Sequence, residues 1–138
     1  MRRIANHPLW IGHAGDLRDL RAVLSAGIQA IVEVADNEQM AVLPRDLIRL
    51  RFPLSDGAEN ANWMVRLAVE SVAALLKANV PTLICCSNGL SRSVCVAVGS
   101  ISFIERRPFD SVLVEVAKDG PADVSPGLAG LFGNLSVR

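Results

Sequence analysis

Apolar and polar positions follow two different rhythms along this chain, and each rhythm predicts a different kind of element. Residues 62–77 repeat apolar side chains at helical spacing, which predicts an amphipathic helix. Residues 28–34 and 82–86 are short apolar runs, the first rich in β-branched side chains, and such runs are typical of buried strands. Residues 48–54 alternate apolar with polar side chains, which predicts a half-exposed strand.

Helix caps and breakers place the remaining elements. Asp16 can cap a helix at residues 17–25, after which Gly27 is the stop signal, and Pro108 opens another at 109–118 that Asp119 and Gly120 close. The other predicted elements are a strand at residues 9–12, a short helix at 36–43 and helices at 93–105 and 126–135. The helix at 93–105 is apolar on most sides, which predicts a position in the middle of the domain. Strands that alternate with helices predict an α/β domain whose sheet is covered on both faces.

Composition narrows the class of protein. A chain of 138 residues, 51% of them hydrophobic, is long enough for one domain, which we expect to cover residues 1–138. Its 14 basic and 14 acidic residues leave no net charge, so the chain lacks the overall basic bias of a nucleic-acid binder. No apolar run is long enough to cross a bilayer, and because residues 1–8 are polar we expect no secretion signal. Three cysteines, two of them adjacent, make a poor disulfide framework, so we expect reduced thiols and a cytoplasmic protein.

Most of the candidate functional residues lie in the loop that follows the strand at residues 82–86 and leads into the buried helix. Backbone N–H groups at a helix N-terminus carry partial positive charge, so a loop coiled there forms an anion cradle. Gly89 allows the close approach or positive φ of such a coil, and the planar guanidinium of Arg92 can grip two oxygens of a phosphate. Nearby positive charge favours the thiolate of Cys86, which would be a nucleophile aimed at phosphorus. The predicted phosphate-binding residues are Ser87, Asn88, Gly89, Leu90, Ser91 and Arg92.

The spacing of Cys86 and Arg92, followed by a hydroxyl residue at Ser93, resembles the signature of the cysteine-dependent phosphatases. With Gly89 inside the signature, and the signature past the middle of the chain, the sequence is similar to the small dual-specificity protein phosphatases. Asp56 lies in a loop after a predicted strand, well before the cysteine, and strengthens the resemblance. The resemblance implies a central mixed, mostly parallel sheet of about four or five strands, flanked by helices on both faces.

The resemblance also implies a two-step mechanism. Cys86 attacks phosphorus to give a cysteinyl-phosphate, while Asp56 first protonates the leaving group and then activates the hydrolytic water. Ser93 hydrogen-bonds the sulfur as it leaves. Asp56 could instead only cap the turn that contains Gly57, and Glu59 is the second candidate acid in the same loop.

One position departs from the family pattern. A histidine usually precedes the nucleophile and helps to hold the loop, whereas this chain has Cys85, whose thiol is a poorer hydrogen-bond partner. The thiolate is then less stabilised, and low activity is expected. Cys95 is expected in the core. The three cysteines lack the paired spacing of a metal site, so we expect neither a metal nor a cofactor.

Three functions remain open on the sequence. The first is a phosphomonoesterase that acts on a phosphorylated protein or another phosphomonoester, with no nucleic-acid or membrane partner and an oligomeric state that the sequence leaves open. The second is a catalytically weak phosphate-binding module, a pseudophosphatase, in which Cys85 or a misplaced Asp56 prevents turnover. The third is a rhodanese-like sulfurtransferase, which also uses a loop cysteine near an arginine but needs no proton donor.

Overall fold

A five-stranded sheet forms the middle of this computed structural model, which describes residues 1–4 and 6–135. The sheet is mixed: β1 is antiparallel to its neighbour, and all other neighbouring strands are parallel. The order across the sheet is β1-β2-β5-β3-β4. The mixed, mostly parallel sheet that the resemblance implies is therefore confirmed. The strands are β1 (Arg2–Arg3), β2 (Leu9–His13), β3 (Ala30–Glu33), β4 (Ile48–Arg51) and β5 (Thr82–Cys86).

Helices cover both faces of this sheet. The second helix has the predicted bounds, and the third begins one residue earlier than the pattern predicts. No helix among the described residues is both long enough and apolar enough to span a bilayer. The helices are α1 (Leu20–Ser25), α2 (Asn62–Lys77), α3 (Arg92–Glu105), α4 (Phe109–Asp119) and α5 (Pro126–Leu135), with a 3₁₀ helix at Ala14–Arg18 ahead of α1.

The sheet separates two hydrophobic clusters, because successive side chains of a strand point to opposite faces. Cys86 belongs to the larger cluster, which β5 forms with residues of α2, α3, α4 and α5. Cys85 belongs to the smaller cluster on the other face, where it packs with Leu17 of the 3₁₀ helix and Val23 of α1. Every residue of α3 from 92 to 102 is buried, so this helix lies in the middle of the domain as its apolar surface predicts.

The parallel strands place their carboxyl ends along one edge of the sheet. In the strand register, His13 pairs with Cys86, and Glu33 pairs with both Cys85 and Arg51. The segments that follow β2, β3, β4 and β5 therefore begin at the same edge. Because β5 lies between β2 and β3, the loop that follows Cys86 has another strand end on each side, which is where α/β sheets bind ligands.

Residues 36–43 do not form the predicted helix. Two arginines of β4 bind backbone carbonyls in this segment: Arg51 donates to the carbonyl oxygen of Glu38, and Arg49 donates to that of Ala41. A helix over residues 36–43 would use the Glu38 carbonyl for its own hydrogen bonds. The prediction was wrong because these long-range contacts override the local helix preference of the segment.

The first helix begins later than the pattern predicts. The N–H of Ala22 donates to the carboxylate of Asp19 at 3.2 Å, so Asp19 and not Asp16 caps α1. Asp16 instead accepts the N–H of His13 at 2.9 Å, at the start of the 3₁₀ helix. Asp16 thus caps the 3₁₀ helix and Asp19 caps α1. The sequence pattern predicts one helix here, whereas the structure has two.

Candidate active site

The loop at residues 86–92, called the 86–92 loop below, joins β5 to α3 at the carboxyl edge of the sheet. Gly89 has a φ of 72°, a left-handed conformation that glycine adopts without a steric cost. A Cβ atom at this position would lie 2.9 Å from the carbonyl oxygen of Gly12. The loop therefore curls tightly against the end of β2, and both its conformation and its contact require glycine.

The sulfur of Cys86 lies under this loop and is 4% exposed. The N–H of Gly89 donates to Sγ at 3.3 Å, and the hydroxyl oxygen of Ser93 lies 3.2 Å from Sγ. Hydrogen-bond donors of this kind stabilise a sulfur anion more than a neutral thiol. The structure thus brings together Cys86, Gly89 and Ser93, three residues of the predicted signature.

Arg92 is only 6% exposed, and one side of its guanidinium is anchored to the protein. Nη1 donates to Asp36 at 3.1 Å and to Asn37 at 3.0 Å. Nη1 also donates to the carbonyl oxygen of Leu54, and Nη2 donates to the hydroxyl of Ser87, both at 3.0 Å. Among the described residues, Nε has no protein partner, and Nη2 has only Ser87. These two donors form one edge of the guanidinium, so that edge is available for two oxygens of an anion.

Asp36 and Asn37 are site residues that the sequence reasoning missed. The carboxylate of Asp36 balances the buried charge of Arg92, and a buried charge without such a partner is strongly destabilising. Both residues come shortly after β3, whose carboxyl end lies beside β5. Their place after a buried parallel strand was the available signal, and the wrongly predicted helix at 36–43 concealed it.

Asp56 lies at the mouth of the 86–92 loop and is exposed. Its Oδ1 lies 2.6 Å from the hydroxyl oxygen of Ser91, and that oxygen accepts the backbone N–H of Ser125 at 3.0 Å. A serine hydroxyl has a single hydrogen, which is therefore directed at Asp56. This chain of hydrogen bonds fixes the carboxyl group of Asp56 beside the 86–92 loop.

Asn60 shapes the turn that carries Asp56. Its side-chain oxygen accepts the N–H of Ser55 at 2.9 Å, and its side-chain nitrogen donates to the carbonyls of Ser55 and Gly57 at 2.9 and 3.0 Å. Glu59 contributes its backbone carbonyl, which accepts the Ser55 hydroxyl at 3.1 Å. Among the described residues, the Glu59 carboxylate makes no hydrogen bond or ion pair with the 86–92 loop, so Asp56 is the better placed acid.

The remaining predicted phosphate-binding residues connect the loop to its surroundings. The hydroxyl of Ser87 lies 3.0 Å from the carboxylate of Glu38. The carbonyl oxygen of Leu90 accepts the N–H of Asp123 at 2.9 Å, which ties the loop to the segment before α5. Asn88 is exposed at the outer side of the loop. The loop is therefore braced from two neighbouring segments.

The other two cysteines are held as neutral thiols. Burial raises the pKa of Cys85 far above its ordinary value, and nearby negative charge, Asp16 first, adds to the shift. Burial, followed by the charges of Asp56 and Cys86, raises the pKa of Cys95 to about 12. Cys85 stands where the family usually has histidine, and within the described part of the chain its thiol makes no hydrogen bond to the 86–92 loop. Cys86 is therefore the only one of the three whose surroundings suit a nucleophile.

A cavity of about 1040 Å³ opens at the far end of α3, lined in part by Lys77, Phe103 and Arg106. None of its lining residues belongs to the 86–92 loop. Its lining begins at Gly99 of α3, seven residues after Arg92, which is about 10 Å along the helix at 1.5 Å per residue. This cavity therefore contributes nothing to the chemistry at Cys86.

Solved structures of dual-specificity phosphatases superpose on this chain over most of its length. DUSP15 matches with a TM-score of 0.83 at 19% identity, over 97% of this chain and 86% of that chain. This chain has the dual-specificity phosphatase fold. Human DUSP28 matches with a TM-score of 0.82 at 20% identity, over 94% of this chain and 92% of that chain. A putative dual specificity phosphatase from mouse, solved with zinc tungstate, matches with a TM-score of 0.82 at 21% identity, over 99% of this chain and 91% of that chain.

No protein-family model and no curated protein sequence matches this chain. The likeness to the dual-specificity phosphatases is therefore one of architecture, and a fold by itself hosts more than one function. The roles of Cys86, Arg92, Asp56 and Ser93 stay predictions, which rest on the distances given above.

Proposed function

We propose that the protein is a cysteine-dependent phosphomonoesterase of the dual-specificity type. The observation that carries this proposal is the pairing of Cys86 with Arg92. The sulfur accepts a hydrogen bond from the N–H of Gly89 at 3.3 Å, while Arg92 is anchored on one side by Asp36 and keeps Nε without a protein partner among the described residues. A nucleophile beside an unused bidentate cation suits the tetrahedral phosphate of a monoester.

The first step transfers the phosphoryl group to sulfur. The thiolate of Cys86 attacks phosphorus, the bond from phosphorus to the leaving oxygen breaks, and Asp56 gives its proton to that oxygen. Arg92 and the N–H groups of the 86–92 loop bind the other phosphate oxygens.

The second step returns the enzyme to its starting state. Water attacks the phosphorus of the cysteinyl-phosphate, Asp56 accepts a proton from the water, and the bond from phosphorus to sulfur breaks. The hydroxyl of Ser93, 3.2 Å from Sγ, stabilises the departing thiolate of Cys86.

Hydrolysis of an aryl phosphate by the purified protein tests this proposal. We expect phosphate release that Cys86→Ser abolishes and that Cys95→Ala, the matched control at a neutral core thiol, retains.

Other outcomes would favour the other two functions. A folded protein that binds tungstate or phosphate but does not turn over aryl phosphate would be a phosphate-binding module. Turnover of thiosulfate that Asp56→Asn leaves unchanged would indicate a sulfurtransferase. A phosphorylated protein as the substrate, and a cytoplasmic location, remain predictions.

A further inference from the structure

Asn88 is the only asparagine of the chain that precedes a glycine. Such an asparagine is prone to deamidation, because the backbone nitrogen of the next residue can attack the side-chain amide and glycine has no side chain to block the approach. Asn88 lies in the 86–92 loop, two residues after Cys86. The dipeptide of this chain that is most prone to deamidation thus lies in the proposed phosphate site.

The side chain of Asn88 is free to reach the nitrogen of Gly89. It is exposed, and among the residues that the structure describes its amide has no hydrogen-bond partner. The reaction consumes water and releases ammonia, so it needs a position that is open to solvent. Asn88 meets this condition, because it lies at the outer side of the loop.

Two other asparagines near the site are restrained. The side-chain oxygen of Asn37 accepts a hydrogen bond from Arg92 at 3.0 Å and lies 3.1 Å from the hydroxyl oxygen of Ser87. The side chain of Asn60 makes three hydrogen bonds to the backbone of its own turn. Neither of the two is followed by glycine. Sequence and structure therefore single out Asn88.

We propose that Asn88 is a site of spontaneous deamidation, and that its modification inactivates the active site. The nitrogen of Gly89 attacks Cγ of Asn88, the bond from Cγ to the side-chain nitrogen breaks, and that nitrogen leaves as ammonia with the proton of the Gly89 N–H. Water then opens the cyclic imide: attack at Cγ gives aspartate, and attack at the backbone carbonyl carbon gives isoaspartate. The effect on turnover rests on the proposed function, whereas the reaction at Asn88 does not.

The imide and the aspartate each disturb the chemistry at Cys86. The N–H of Gly89 donates to Sγ of Cys86 at 3.3 Å, and the imide nitrogen has no hydrogen to donate. Aspartate restores this N–H but adds a carboxylate to the loop that is proposed to bind a phosphate. Because like charges that face each other repel, the carboxylate weakens phosphate binding.

Isoaspartate disturbs the shape of the loop. It lengthens the main chain by one carbon atom immediately before Gly89. The curl has no spare room there, since even a Cβ atom on Gly89 would lie 2.9 Å from the carbonyl oxygen of Gly12. The lengthened loop cannot keep both this contact with Gly12 and the hydrogen bond to Sγ of Cys86.

Prolonged incubation of the purified protein tests this inference. Peptide mass spectrometry should find conversion of the amide to a carboxylate at Asn88 first, with the peptides that contain Asn37 and Asn60 as internal controls. The modified protein has one more negative charge, so anion exchange separates it from the unmodified protein. Its kcat/KM for an aryl phosphate should be at least about tenfold lower than that of the unmodified protein.

Three variants connect the modification to the loss of activity. Asn88→Asp reproduces one product and should have the low activity from the start. Asn88→Ser has no amide, so its activity should stay at its own starting value while the wild type loses activity in proportion to the modified fraction. Asn62→Ser removes an exposed asparagine at the start of α2 and should decline as the wild type does.

Failure of this inference and failure of the proposed function give different results. An Asn88 that stays intact, earlier deamidation at another asparagine, or a modified protein as active as the unmodified one would overturn the inference while aryl phosphate turnover stands. If the protein hydrolyses no phosphoester, the tungstate affinities of the two separated forms decide the matter. Weaker binding by the modified form would then support the inference, and equal affinities would contradict it.

Discussion

The guanidinium of Arg92 divides its donors between structure and function. Nη1 is committed to Asp36, Asn37 and the carbonyl of Leu54, while Nε remains without a protein partner among the described residues. The structural contacts fix the plane of the guanidinium, so binding an anion costs little side-chain entropy. A single residue thus links the segment after β3 to the proposed phosphate site.

Ser91 and Asp56 form a second pair of interacting residues. The hydroxyl of Ser91 is held by the N–H of Ser125 and directs its hydrogen to Asp56. Ser91 does not touch the leaving group in this scheme, so it is a positioning residue for the acid. Its effect should therefore depend on how much the leaving group needs a proton.

The first prediction concerns this dependence. Asp56→Asn should lower kcat/KM by about 10²–10⁴-fold for substrates with poor leaving groups and much less for activated aryl phosphates. Ser91→Ala should also lower kcat/KM more for poor leaving groups than for activated ones, but by a smaller factor than Asp56→Asn. Ser125→Ala keeps the backbone N–H and should have no effect. A Ser91→Ala loss of equal size across all leaving groups would show that the residue only stabilises the loop.

The second prediction concerns the three thiols. Burial raises the pKa of Cys85, and raises that of Cys95 to about 12, so both are protonated at neutral pH and react slowly. Alkylation by iodoacetamide at pH 7, followed by peptide mass spectrometry, should modify Cys86 first. Phosphate or tungstate should slow this reaction because the anion covers the sulfur. Equal modification of all three thiols would contradict the assignment of Cys86 as the nucleophile.

At the scale of secondary structure, the 86–92 loop depends on the close contact of two strand ends. Gly89 packs against the backbone of Gly12, so the curl of the loop is set by β2 as well as by β5. This contact explains why the strand at residues 9–13 belongs to the site although none of its side chains is expected to react.

The third prediction tests this contact. Gly89→Ala should cost at least about 1 kcal/mol of unfolding free energy from the left-handed conformation alone, and the clash with Gly12 should reduce activity further. Gly130→Ala is the matched control: it lies inside α5 with no atom within 4 Å of the added Cβ, and should stabilise the protein by about 0.5–1 kcal/mol. Urea unfolding and aryl phosphate turnover measure both effects. A fully active Gly89→Ala would contradict this role for the glycine.

The elements that the sequence predicts correctly are those with strong local signals. β5 and α2 have the predicted bounds, because an uninterrupted apolar run and a long helical repeat each specify one structure. The segment at 36–43 has a weak local preference, and its conformation follows from contacts with arginines of β4. The site residues follow the same rule. The sequence predicts Cys86, Arg92 and Asp56 from a resemblance to a family motif, whereas Asp36 belongs to the site only because folding brings it against Arg92.

At the scale of the whole molecule, the buried thiols on the two faces of the sheet couple stability to pH. Cys85 lies in the smaller cluster and Cys95 in the larger one. Both have raised pKa values in the folded state, so the folded protein keeps them neutral at pH values where the unfolded chain ionises its cysteines. The stabilising contribution is complete below about pH 8.5, the ordinary cysteine value, and is lost as the pH rises further.

The fourth prediction follows from this coupling. Between about pH 8.5 and 10, the free energy of unfolding should fall with a slope of about 1.4 kcal/mol per pH unit for each buried thiol. The chain has no tyrosine, so few other groups titrate in this window. In urea unfolding at several pH values, Cys95→Ala should reduce this slope by about 1.4 kcal/mol per pH unit, the contribution of one thiol. An unchanged slope would mean that Cys95 ionises as readily in the folded protein as in the unfolded chain.

The most direct test of the proposed chemistry is to trap the phosphoryl group on the protein. In a single turnover of an aryl phosphate, quenched with acid within the first cycle and analysed by mass spectrometry, we expect one phosphoryl group on the peptide that contains Cys86. Asp56→Asn should prolong its lifetime with an activated substrate, because that variant lacks the base for the second step. Turnover without any phosphorylated Cys86, or with the phosphoryl group on another residue, would contradict the proposal that this thiol is the nucleophile.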